Sequence, residues 1–95
     1  MTRRASVGEM VAFKDHADLR LGKVIAVDKI SSTLIVTLYR GTVHSVWKPV
    51  VNSENSNITM KIKNDRVARQ GIFSLTKSNK LPQSIIALFK DFLQC

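Results

Sequence analysis

The sequence predicts a mainly β domain, a small antiparallel β-barrel carrying one C-terminal α-helix. Three observations predict it. Between residues 8 and 49, four short runs rich in Val, Ile, Leu and Thr are separated by tight polar turns. No helical period of useful length interrupts them. Over residues 82–94 the pattern changes, and apolar residues recur at helical spacing.

The elements follow in order. Residues 1–6, with Arg3 and Arg4, form a basic, flexible N-terminus, and residues 7–95 form a single domain. Residues 8–13 read as a first strand ending on Phe13. After a polar turn, residues 21–27 read as a second. Residues 33–39 are dense in β-branched side chains and give the firmest strand, ending on Tyr39. Arg40-Gly41-Thr42 then turns the chain into a fourth strand over residues 43–47, ended by Pro49. Residues 52–57 are a polar loop. Beyond it Ile58, Met60 and Ile62 alternate with Thr59, Lys61 and Lys63, the pattern of a half-buried strand with a basic outer face. Residues 67–75 fit strand or irregular structure, with Ile72, Phe73 and Leu75 as core contacts and Gly71 as a bend or bulge. Pro82 suits the first helical position. Ile85, Ile86, Leu88, Phe89, Phe92 and Leu93 then form one face of a helix packed on the barrel as its lid.

Charge narrows the partner. Fifteen Lys and Arg stand against seven Asp and Glu, a net +8. The excess is uneven: residues 7–28 carry a net −1, and residues 58–95 a net +5. Such a balance favours polyanions, nucleic acid first, with DNA preferred over RNA. A single cysteine, Cys95, excludes an intramolecular disulfide and fits a reducing compartment. No apolar run follows Met1, and none approaches the roughly 20 residues that span a bilayer. The expectation is nuclear or cytoplasmic residence, without secretion and without a membrane partner.

Catalysis requires a nucleophile with its base, a carboxylate pair or a metal set. His16 and His44 fall in or beside turns without a second ligand at metal spacing, and the four glycines are isolated. The expectation is no enzyme, no catalytic residue, no metal and no cofactor.

Binding residues are easier to nominate. Lys61 and Lys63 share an exposed face, Arg66 and Arg69 follow a turn, and Lys77 and Lys80 continue the series, so together they would follow a phosphate backbone. Arg40 and Lys48 would assist. Phe13, Tyr39 and Trp47 lie at or near predicted strand ends, which in a small barrel meet at one rim. There they would stack on bases or enclose a methylated ammonium. Packing is the competing use: Phe13 suits the core, and Trp47 suits a plug with its N–H hydrogen-bonded.

The segments Val7-Gly8-Glu9-Met10-Val11-Ala12-Phe13, Leu21-Gly22-Lys23-Val24 and Val36-Thr37-Leu38-Tyr39-Arg40-Gly41 resemble SH3-like barrels of the Tudor and chromo-barrel type. Trp47-Lys48-Pro49 is similar to sequences in transposon-derived proteins, and integrases of the retroviral type carry a basic SH3-like barrel that touches DNA. The resemblance implies a binding module within a larger chromatin- or mobile-element-related protein. It departs at Arg40, where methyl-lysine readers carry an acidic residue, and this favours a polyanion. The function expected is therefore non-enzymatic nucleic-acid binding. The alternative is a protein-interaction module, a histone-tail reader or assembly domain. A third reading uses the helix around Phe89 and Phe92 as a dimer contact.

Overall fold

The computed structural model describes residues 4–93, with side chains through Lys90. Five strands form one antiparallel path, and a sixth extends it. They are β1 (Met10–Asp15), β2 (Asp18–Asp28), β3 (Thr33–Arg40), β4 (Lys48–Pro49), β5 (Thr59–Lys63) and β6 (Val67–Phe73). The hydrogen-bonded order is β4-β3-β2-β1-β6, and β5 also pairs with β3. A 3-10 turn, Asn64–Arg66, joins β5 to β6, and one helix, α1 (Gln83–Leu93), follows. The chain is thus mainly β with a C-terminal helix. Its strand order, with the last strand returning to the first, is compatible with an SH3-like barrel.

Tight turns set the register. Asp15 and Asp18 face each other across a two-residue hairpin turn whose first residue, His16, has a positive φ of 56°. The β2–β3 hairpin closes at Asp28↔Thr33, where the Asp28 carboxylate accepts the N–H groups of Ile30 and Ser31. Between Val24 and Ala26 the β2–β3 register slips by one residue. The extra residue, Ile25, is exposed. This bulge turns Val24 inward against Val36 and Lys23 outward beside Thr37.

β4 and β5 are two pieces of one line. Both run antiparallel to β3, β5 along Thr33 to Thr37 and β4 along Tyr39 and Arg40. Leu38 joins them, donating its N–H to the Ile58 carbonyl and accepting the Val50 N–H. The intervening residues leave the sheet as an exposed excursion. Its base is closed by the Ile58 N–H on the Val50 carbonyl, and its tip is organised by the Asn52 side chain, which accepts the N–H groups of Glu54 and Ser56.

Residues 43–47 are not the fourth strand that their composition suggests. Ser45 folds back on Thr42, its N–H donating to the Thr42 carbonyl. Trp47 then turns its N–H away from the sheet to the Asn79 carbonyl at 2.8 Å. Burying the indole takes precedence over extending the ladder, so pairing starts only at Lys48. β6 carries a wide bulge: Val11 faces Ile72 and Phe13 faces Val67, so Ala68, Arg69, Gln70 and Gly71 oppose Ala12 alone. Gly71 permits it, because a Cβ there would lie 2.8 Å from the carbonyl oxygens of Ala12 and Ala68.

The sheet buries both faces. Inside its curl, Val11, Phe13, Val24, Leu34, Val36, Ile62 and Val67 form one cluster, which Ala5 joins. Of the predicted N-terminal stretch, residues 1–3 lie outside the described residues. On the outer face Met10, Ala12, Leu21 and Phe73 pack with Trp47, Leu81, Ile85, Ile86 and Phe89. The helix therefore lies on the sheet, as its apolar spacing predicts. It starts one residue later than expected: Pro82 is its N-cap, its carbonyl accepting the N–H groups of Ile85 and Ile86. Gln94, the expected last residue, lies outside the described residues. Ile85 is 1 % exposed at the centre of this layer. Ile85→Ala should destabilise the fold by about 2–5 kcal/mol, read from urea unfolding. A loss under about 0.5 kcal/mol, the range of surface changes, would show that the helix does not cover a core.

Candidate functional site

The sequence nominates one continuous basic strip. The fold divides it. β5 sends Lys61 and Lys63 to the outer face, opposite Ile35 and Thr33 of β3. Across β3, Lys23 of β2 faces the same side, opposite Thr37. All three lysines are exposed. Arg66 stands exposed on the 3-10 turn that follows, which the Asn64 N–H ties to the Ser32 carbonyl of the β2–β3 hairpin. This group occupies the part of the outer face that α1 leaves open, with exposed Ile35 on β3 between the strands of Lys23 and Lys61.

Arg40 and Lys48 lie elsewhere. They face each other across β3 and β4. From Thr33, opposite Lys63, to Arg40 the chain advances seven residues along β3, roughly 20–24 Å at strand rise. Lys77 and Lys80 follow β6 in the loop where Asn79 bonds Trp47, so they sit toward Lys48 and away from Lys61. Arg69 is exposed on the β6 bulge, flanking β1 rather than β5. The eight nominated cations thus contribute to at least two separate places.

The aromatic rim is largely not a rim. Phe13 is 0 % exposed in the inner cluster, because its strand position alternates inward with Val11. Trp47 is 7 % exposed, 6.0 Å from the Phe89 ring and tilted by 37°. Gly41 lies against its face: a Cβ there would come within 2.7 Å of the indole. Trp47 is a plug, but among the described residues its indole N–H has no partner, contrary to the hydrogen bond expected of a buried Trp. Tyr39 is half-buried.

Tyr39 and Trp47 nevertheless share a cleft of about 360 Å³ with Leu19, Leu21, Leu38, Val50 and Ile58. Arg20 and Arg40 line it as well. Arg20 is a residue the sequence does not nominate, nor is Lys23 a nominated binding residue. Both lie in the stretch of net negative charge, and only the bulge at Ile25 sets their partners. Arg20 pairs with Asp15 at 2.7 Å.

Asp28 is the carboxylate nearest the outer lysines in the ladder. Its pKa is held below the usual aspartate value by the Ser31 hydroxyl first, then by the Ser31 and Ile30 N–H groups, with the Lys61 charge adding to them. Among the described residues no three His, Cys, Asp or Glu side chains gather as a metal set, and no helix is long and apolar enough to cross a membrane. No protein-family model, curated protein or solved structure matches the chain.

The depressed Asp28 pKa has a sign that can be tested. The fold favours the carboxylate, so its contribution is complete above the ordinary aspartate pKa. It is lost as pH falls through the lower folded value. Asp28→Ala should therefore cost more stability at pH 7 than at about pH 2, measured by denaturant unfolding at both. An equal cost at the two would show that the turn does not use the charge.

Proposed function

We propose that the chain is a non-enzymatic nucleic-acid-binding module, with DNA preferred over RNA, from a larger chromatin- or mobile-element-related protein of the Tudor or chromo-barrel type. The observation that carries this reading is the open half of the outer sheet face. There Lys23, Lys61 and Lys63 project from adjacent strands, and Arg66 extends the group at the corner. Three ammonium groups and a guanidinium on one surface suit a row of phosphates.

The aromatic inventory refines the ligand. Binding of single strands uses exposed aromatic platforms. Among the described residues Phe13, Phe73, Phe89 and Trp47 are all buried, and Tyr39 is half-buried and four residues along β3 from Ile35, the partner of Lys61. The module is therefore read as a binder of duplex backbone with weak sequence preference. The histone-tail reading calls for a carboxylate beside Tyr39 and Trp47. Their cleft holds Arg20 and Arg40 instead, which repel a lysine or methyl-lysine.

Salt titration of affinity for a short DNA duplex tests the reading. Each phosphate contact contributes about −0.9 to the slope of log affinity against log salt. The Lys61→Glu/Lys63→Glu variant should reduce that slope by about 2 and weaken binding, with its unfolding transition unchanged. Duplex should also bind more tightly than a single strand of the same length. A folded double variant with wild-type affinity and slope would remove these lysines from the interface.

A further inference from the structure

Three strands bring three cations into one row. Lys48 stands opposite Arg40 across β4 and β3. One step beyond Leu21↔Tyr39, the β2–β3 ladder sets Arg20 beside Arg40. Neighbouring strands are about 4.8 Å apart, so the row is compact. Like charges directly opposite each other destabilise a sheet. Asp15 compensates Arg20, whereas Arg40 and Lys48 have no ion-pair partner among the described residues. The Arg40–Lys48 end of the row thus lacks a counter-ion among the described residues.

The row borders the apolar cleft, which Arg20 and Arg40 line together with Tyr39 and Trp47. We propose that this rim is a second binding site, separate from the outer lysines, for an acidic peptide segment that seats one bulky apolar side chain in the cleft. The guanidinium forks pair with carboxylates in two-point fashion. Leu19, Leu21, Leu38, Val50 and Ile58 give the cleft an aliphatic half, so it accepts a Leu or Phe side chain. A nucleobase placed there would leave its ring nitrogens and exocyclic groups unpaired. The site does not rest on nucleic-acid binding by the outer face.

The test uses the full chain and a fluorescein-labelled octapeptide of Asp and Glu with one central Leu, followed by anisotropy. Arg40→Glu should weaken binding at least about tenfold, the loss of one charge-assisted contact. Lys61→Glu/Lys63→Glu should leave it within about twofold. A peptide with Ser in place of Leu should bind at least about fivefold more weakly, since it loses the buried side chain. Lys48→Glu offers a readout independent of ligand: by replacing a like-charge pair with an opposite one, it should raise Tm by about 1–5 °C. Absence of peptide binding at low salt would overturn the proposal. So would equal affinity for the Leu and Ser peptides, which would reduce the site to bare charge. Loss of duplex binding in Arg40→Glu with peptide binding intact would likewise overturn it, assigning the row to nucleic acid.

Discussion

The fold depends on β1 having no solvent face along its first four residues. Val11 and Phe13 fill the inner cluster, while Met10 and Ala12 face outward. A sheet with apolar residues on both sides must be covered twice. Its own curl covers one side, and α1 with Trp47 covers the other. That second layer ends where β2 and β3 move away from the helix. Past that boundary the outer face changes from Ala12 and Leu21 to Lys23, Lys61 and Lys63. The need to bury β1 thus determines which part of the surface is left for charge.

Much of this was legible in the residues. The three long strands, the polar loop before Ile58, the alternation through Lys63, the bulge at Gly71 and the helix all follow from local periodicity and turn chemistry. The fourth strand failed because Trp47 obeys a tertiary demand: its indole is wanted under the helix, and its N–H goes to Asn79 rather than to β3. Phe13 takes the core place that its apolar ring suits, rather than the rim, for a related reason. A strand end in the sequence need not be an end in the sheet, and β1 continues to Asp15 before it turns.

The binding surface was less legible than the fold, and the reason is the bulge at Ile25. Hairpin register counted from Asp28↔Thr33 without it would set Lys23 opposite Leu38 and Arg20 opposite Gly41. The one-residue slip gives Lys23 opposite Thr37 and Arg20 beside Arg40. It also exchanges the faces of every residue in β2 before it. Nothing in Lys23-Val24-Ile25-Ala26-Val27 announces the slip, because every residue from Val24 to Val27 is apolar. The positions of Lys61 and Lys63 are visible in the sequence, but their neighbours depend on this single event.

The excursion between Val50 and Ile58 has a further consequence, for how such a domain can change. Leu38 treats the strands on either side of it as continuous, since Val50 and Ile58 supply adjacent hydrogen bonds and close the base themselves. Whatever lies between them is invisible to the sheet. Lengthening a closed loop costs little, about 0.6 kcal/mol for each doubling. New recognition residues can therefore accumulate there, between the outer lysines and the Arg40–Lys48 rim, without shifting either. The domain carries a built-in place for novelty, and its sheet need not be redesigned when that place is used.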